Sequence, residues 1–109
     1  MADPVQVPSG EDVALYDLIL EPETRIARFR FVVPAIGPGG PGYAELEADF
    51  THLCESYALP ALAETSWAAR QIVISMSNRE TEFGVADYDA VQFFEAFRVE
   101  SGVCVWEQF

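Results

Sequence analysis

The sequence predicts an α+β domain in which an antiparallel sheet of about five strands carries one helix packed on a face. Two stretches, 25–33 and 91–100, alternate apolar and polar residues as half-buried strands do. A third stretch, 43–58, repeats apolar residues at helical spacing. With 109 residues, of which 50% are apolar, the chain is long enough to bury the core of one domain.

The N-terminal half of the chain is predicted to form an extended segment followed by a β-hairpin. Residues 1–10 are expected to be the extended segment, and residues 11–109 the single α+β domain. The apolar run 12–20 indicates a first strand, and a turn at 21–23 leads into a second strand at 25–33. One face of the second strand is apolar and the other carries arginines: Ala27, Phe29, Phe31 and Val33 against Arg28 and Arg30.

A helix is predicted over 43–58, after a loop rich in glycine and proline at 37–42. Pro60 is expected to end the helix, because the residue before a proline is biased away from helical geometry. The apolar residues that share one helical face are Tyr43, Leu46, Phe50, Leu53 and Tyr57. The polar residues expected on the opposite, solvated side are Glu45, Glu47, Asp49, His52 and Glu55.

The C-terminal half is predicted to supply the remaining strands. Residues 71–77 indicate a central strand, and 81–83 a short one. Ser101-Gly102 is a two-residue hairpin turn that would pair the strand 91–100 with the chain end. A helix beginning near Asp87 and covering 87–98 is the alternative, and the fold would then be ferredoxin-like with two helices.

The residues expected to form the core come from the helix and from four of the strands. Pairing across the hairpin turn places Val99 opposite Cys104 and Phe97 opposite Trp106. The predicted core comprises Phe29, Phe31, Leu46, Phe50, Leu53, Ile72, Ile74, Phe97, Cys104 and Trp106.

The composition narrows the range of partners. Lysine is absent, six arginines face eighteen acidic residues, and the net charge is −12. Such a protein is repelled by nucleic acid and by anionic membrane surfaces, whereas a basic protein partner is compatible with its charge. No apolar run reaches the about 20 residues that a membrane-spanning helix needs, so no transmembrane segment is expected.

The two cysteines, Cys54 and Cys104, lie in apolar patterns on a helix and a strand that are predicted to meet. A disulfide between them would place the protein in an oxidising compartment, periplasmic or secreted. Two buried free thiols are the alternative. His52 is two residues from Cys54, which makes the two a poor ligand or catalytic pair on a helix. The sequence therefore predicts no metal, no cofactor and no catalytic residue.

Acidic residues gather in the segment 78–90, which is the candidate binding site that the sequence indicates. Its members are Glu80, Glu82, Asp87 and Asp89, together with the aromatic side chain of Tyr88. A small hydrolase could use such carboxylates as general acid and base. Only a fragment of a calcium-loop pattern is present. Arg28 and Arg30 could bind an anion, but in so acidic a chain they are expected to pair with neighbouring acids.

Four segments resemble a small domain-of-unknown-function family of alphaproteobacteria. They are Val7–Gly10, Phe29–Ile36, His52–Pro60 and Gln92–Glu107. The resemblance covers nearly the whole chain and implies an exported protein whose signal peptide has been removed, as the start Ala2-Asp3-Pro4 also suggests. Some members carry an automated acetolactate synthase label, but this chain is too short for that enzyme and lacks a thiamine-diphosphate motif. The family supplies no catalytic residues.

The function predicted from these observations is that of an exported, acidic, non-enzymatic binding or protein-interaction module. Two alternatives stay open at this point. One is a small hydrolase that uses the loop carboxylates, and the other is a cytosolic regulatory domain of ferredoxin-like fold. The oligomeric state is not predicted.

Overall fold

The computed structural model describes residues 4–107 and shows one five-stranded sheet in the order β1-β2-β3-β4-β5. The helical segments follow one another without a break and lie between β2 and β3. The strands are β1 (Ala14–Glu21), β2 (Ile26–Val32), β3 (Gln71–Ser77), β4 (Gln92–Glu100) and β5 (Val103–Glu107); the helical segments are α1 (Tyr43–Leu53), a π-helical turn (Cys54–Ala58) and α2 (Leu59–Glu64).

The predicted α+β class is confirmed, and the sheet is mixed. Three of its strand pairs are antiparallel, whereas β2 and β3 run parallel. The helix between β2 and β3 causes this difference. It carries the chain back to the end of the sheet at which β2 begins, so β3 runs parallel to β2. Residues 92–100 form a strand, so the alternative helix over 87–98 is wrong, and residues 4–107 contain no second helix of a ferredoxin-like plan.

The helix does not end at Pro60, which corrects the sequence prediction. Its path widens into the π-helical turn, where the N–H of Leu59 donates to the carbonyl of Cys54. Pro60 therefore falls in the first turn of α2, where a missing N–H is tolerated. The helix continues to Glu64 and buries Leu62 against the sheet.

The core lies between the helix and one face of the sheet, which we call the helix face. The predicted core residues are buried with one exception, Trp106, which is 52% exposed. It lies on β5, the edge strand, and its indole N–H donates to Glu95. The edge of the sheet leaves its ring only partly covered, and the polar N–H needs a partner there.

Asp49 is buried, which contradicts its prediction as a solvated residue. Its carboxylate accepts hydrogen bonds from the backbone N–H of Ser9, at 2.9 Å, and from the Ser9 hydroxyl. The segment before β1 also forms a bridge between Val5 and Val13. Because that segment crosses the helix, it covers a position that helical periodicity alone assigns to solvent.

The structure contains a disulfide between Cys54 and Cys104, separated by 50 positions in sequence. It joins the π-helical turn to the edge strand β5, and both cysteines are buried. Ala2 and Asp3, on which the expectation of a processed N-terminus partly rests, lie outside the described residues. Within residues 4–107, no helix is long and apolar enough to cross a membrane.

The face of the sheet opposite the helix, which we call the open face, is partly covered by a loop. Residues 78–90 form this roof loop, and the predicted short strand at 81–83 is not formed. Thr81 is buried at the sheet, because its hydroxyl accepts hydrogen bonds from Arg30 at 2.8 Å and from Gln92 at 3.0 Å. These side-chain hydrogen bonds, and not the backbone hydrogen bonds of a strand, attach the roof loop to the sheet.

Candidate functional site

A cavity of about 240 Å³ lies between the open face and the roof loop. We call it the open-face cavity. Strands β2, β3 and β4 supply its floor and the roof loop supplies its wall. Its lining comprises Arg28, Arg30, Val73, Ser75, Thr81, Glu82, Phe83, Gly84, Val85, Gln92 and Phe94.

Arg30 is a buried cation at the floor of the open-face cavity, only 8% exposed. It donates to Asp17 at 2.8 Å and to the Thr81 hydroxyl at 2.8 Å. Its guanidinium lies 5.1 Å from the ring centroid of Tyr16 and 5.4 Å from that of Phe83. A buried charge needs such partners, so Arg30 holds β1, β2 and the roof loop together.

Arg28 is more exposed and leaves donors for a ligand. Its Nε donates to Glu21 at 2.7 Å, and the guanidinium lies 5.4 Å from the Phe83 ring centroid. Among residues 4–107, its two terminal NH₂ groups have no hydrogen-bond partner. The predicted pairing of Arg28 and Arg30 with neighbouring acids is confirmed, and both arginines line the cavity.

Part of the lining of the open-face cavity is apolar. Phe83 and Phe94 are 49% and 58% exposed, which is high for phenylalanine. Ser75 and Gln92 add a hydroxyl and an amide to the lining. Two aromatic rings beside a few polar groups form the arrangement that small-molecule sites share, with apolar side chains for affinity and polar groups for orientation.

The acidic residues predicted as a binding site do not converge. Glu82 lines the open-face cavity, whereas Asp87 is ion-paired with Arg79, whose hydrogen bond lowers the pKa of the Asp87 carboxyl. Glu80 and Asp89 are exposed, and Tyr88 is 96% exposed. Among residues 4–107, no three histidine, cysteine, aspartate or glutamate side chains are grouped to hold a metal ion.

A second cavity, of about 190 Å³, opens on the helix face beside the edge strand β5. We call it the aromatic cavity. Helix α1 supplies one side, and β4 and β5 supply the other. Its lining comprises Tyr43, Glu47, Phe50, Thr51, Glu95, Phe97 and Trp106.

Glu95 links the two exposed aromatic residues of the aromatic cavity. One carboxylate oxygen accepts from the Tyr43 hydroxyl at 2.5 Å and the other accepts from the Trp106 indole N–H. The hydrogen bond to Glu95 raises the pKa of Tyr43 to about 12, because ionisation would remove the donated proton and place two negative charges together.

Stability is expected to fall at high pH through Tyr43. Its pKa is about 12 in the folded protein, against 10.0 for an unperturbed tyrosine. Between these values the folded state keeps a proton that the unfolded state has released, so the free energy of unfolding decreases as pH rises through that window. Urea unfolding at several pH values, compared between the wild type and Tyr43→Phe, measures this contribution. Equal slopes in the two proteins would contradict it.

Two further side chains, those of Trp67 and His52, lie away from both cavities. The ring centroid of Trp67 lies 4.1 Å from the guanidinium of Arg25. His52 is half-buried on α1. Neither residue lines the open-face or the aromatic cavity.

Comparison with known proteins places the chain in a family without assigning an activity. The chain matches no curated protein and no solved structure. One family model, described as a family of unknown function, matches residues 1–109. Since that match spans the whole sequence, the chain belongs to the family of unknown function DUF6497.

Proposed function

We propose that this protein is an exported, non-enzymatic binding module whose ligand occupies the open-face cavity. The ligand class is a small, planar, apolar molecule that carries a hydrogen-bond acceptor. The observation that carries the proposal is the lining itself, which combines the half-exposed rings of Phe83 and Phe94 with Arg28, whose two terminal NH₂ groups have no hydrogen-bond partner among residues 4–107.

The size of the cavity limits the ligand. A volume of about 240 Å³ lies just below the about 300–1,000 Å³ of pockets that hold drug-sized molecules. A ligand of one or two fused rings suits this space. Stacking against Phe83 and Phe94 would remove apolar surface from water, which is the main source of affinity in such sites.

The electrostatics of the cavity favour an acceptor without requiring an anion. Arg28 and Arg30 are already ion-paired with Glu21 and Asp17, and a third carboxylate, Glu82, lines the cavity. A ligand carboxylate would meet this acidic surrounding, whereas a carbonyl oxygen accepts from Arg28 without added repulsion. A neutral ketone or amide therefore fits the lining better than an acid does.

The disulfide supports the proposal of an exported protein. Bridges of this kind persist in oxidising compartments and are rare in the cytosol. The Cys54–Cys104 disulfide of the structure supports a periplasmic or secreted location. Of the four loop carboxylates of the hydrolase alternative, Glu82 is the one that lines the open-face cavity.

Binding of prodan, a planar naphthalene that carries a ketone, tests the site. Its fluorescence shifts to the blue in apolar surroundings, and we expect a saturable shift with the wild type. Phe83→Ala should weaken binding about tenfold, which corresponds to about 1.4 kcal/mol for one stacked ring. Arg28→Gln should weaken it several-fold through the lost donor.

Val103→Ala is the matched control for the binding experiment. Val103 is 49% exposed, as Phe83 is, but it does not line the cavity. Its removal should leave prodan binding unchanged. Binding that survives both Phe83→Ala and Phe94→Ala, with folding verified by circular dichroism, would show that the open-face cavity is not the site.

A further inference from the structure

The aromatic cavity combines aromatic walls with acidic groups, and it is separate from the open-face cavity. Along β4, Phe93, Glu95 and Phe97 alternate onto the helix face, whereas Gln92 and Phe94 lie on the open face. The two cavities thus occupy opposite faces of the sheet and can bind independently.

The hydrogen bonds of Glu95 fix the two exposed rings by their edges. The Tyr43 hydroxyl and the Trp106 indole N–H both lie in the planes of their rings, and both donate to Glu95. A ring held by its edge keeps its π-face available for contact. Tyr43 is further supported by Phe50, with ring centroids 5.9 Å apart, and by Phe93, at 6.3 Å.

The negative charge of the aromatic cavity is not compensated by a basic residue. Among residues 4–107, the ion-paired carboxylates are Asp17, Glu21, Asp87, Glu100 and Glu107. Glu47 and Glu95 are not among them, and no arginine lines this cavity. The open-face cavity differs in this respect, because Arg28 and Arg30 line it together with Glu82.

We propose that the aromatic cavity binds a quaternary ammonium headgroup, which packs against Tyr43 and Trp106 and is neutralised by Glu47 and Glu95. Aromatic rings attract cations through their negative faces, and clusters of such rings are the known means of recognising quaternary ammonium groups. The volume of about 190 Å³ suits a compact headgroup. A quaternary ammonium has no N–H and needs no hydrogen-bond acceptor. The oxygens of Glu95 can therefore keep their hydrogen bonds to Tyr43 and Trp106 when the headgroup binds.

Choline titration, followed through the indole N–H resonance of Trp106 by NMR, tests the proposal. We expect saturable movement of that resonance at physiological ionic strength, where long-range attraction is screened. The matched neutral probe is the alcohol in which carbon replaces the choline nitrogen. It has the same shape without the charge and should bind at least tenfold more weakly.

Variants separate the cavity from the general acidity of the chain. Trp106→Ala should abolish choline binding, read in this variant from the Tyr43 ring resonances, and Glu47→Gln should weaken it several-fold. Glu55→Gln makes the same charge change on an exposed residue that does not line the cavity, and should have no effect. Phosphatidylcholine vesicles added in place of choline distinguish the source of the headgroup: sedimentation with vesicles assigns it to a lipid, and no sedimentation to a free solute.

Three results would overturn the proposal. The first is the absence of choline binding in the folded wild type. The second is equal binding of the neutral alcohol, which would make the cavity merely apolar. The third is an equal loss in Glu47→Gln and Glu55→Gln, which would reduce the effect to net charge. None of these results bears on prodan binding at the open-face cavity, so the two proposals fail separately.

Discussion

Reduction of the Cys54–Cys104 disulfide is expected to lower the free energy of unfolding by about 4 kcal/mol, because a loop of this length loses its closure constraint in the unfolded chain. The bridge closes a loop with a sequence separation of 50. A loss of this size is a large share of the about 5–15 kcal/mol that stabilises a typical domain. The bridge also fixes the edge strand β5, whose one neighbouring strand in the described sheet is β4.

Urea unfolding of the oxidised protein, the reduced protein and Cys54→Ala/Cys104→Ala measures this effect. The reduced wild type keeps both sulfur atoms in the core, so its loss reports the closed loop alone. The alanine variant should lose somewhat more, because it also leaves small voids beside the helix. If reduction changes the free energy of unfolding by less than about 1 kcal/mol, the entropic account of this bridge is wrong.

Much of the fold follows from local patterns in the sequence. The alternation of apolar and polar residues in 26–32 and 92–100 correctly predicts strands. It arises because one face of the sheet is covered by the helix, while the other faces water or the roof loop. The hairpin register, Val99 with Cys104 and Phe97 with Trp106, is confirmed. Ser101 and Gly102 both adopt positive φ, 51° and 75°, as a turn between twisted strands requires.

The parallel pairing of β2 and β3 and the continuation past Pro60 depend on non-local geometry. The direction of β3 depends on where the helix delivers the chain, and no local pattern in 71–77 records it. The helix continues past Pro60 because the turn before it is π-helical, with the N–H of Leu59 donating to the carbonyl of Cys54. The spacing of apolar residues does not predict such a turn.

The open-face cavity could not be predicted because its wall is a loop. The number of acidic residues in 78–90 predicted a binding site there. The residues of that segment that shape the cavity are instead Thr81, which accepts a hydrogen bond from Arg30, and Phe83, whose ring lies beside Arg28 and Arg30. Their positions depend on side-chain contacts across the sheet. The sequence feature that indicates this site is the presence of two arginines, Arg28 and Arg30, on one face of β2.

The aromatic cavity did leave a trace in the sequence. On the apolar face of the strand 91–100, the residues Val91, Phe93, Phe97 and Val99 leave one gap, at Glu95. An acid in an apolar row needs partners. Tyr43 and Trp106 supply them; Trp106 belongs to the predicted core, and Tyr43 to the apolar face of the predicted helix. A single polar residue on an otherwise apolar strand face, here Glu95, is therefore the sequence feature that indicates this cavity.

Asp49→Ala is expected to lower the free energy of unfolding by about 2–3 kcal/mol, because the two hydrogen bonds that the buried carboxylate accepts from Ser9 are lost. Asp49 is 0% exposed. Its partners belong to the segment before β1, so hydrogen exchange at the Ser9 amide should accelerate as well. Both quantities are measurable on the same purified variant, by urea unfolding and by NMR.

The conservative replacements divide this effect between its causes. Asp49→Asn keeps an acceptor for the Ser9 amide and should cost less than Asp49→Ala, while Ser9→Ala removes only the hydroxyl contact and should cost about 1 kcal/mol. Because Ser9 and Asp49 touch directly, their double variant should lose less than the sum of the single losses. Strictly additive losses would mean that the segment before β1 is held by other contacts, such as the bridge between Val5 and Val13, and that Asp49 stabilises the helix by itself.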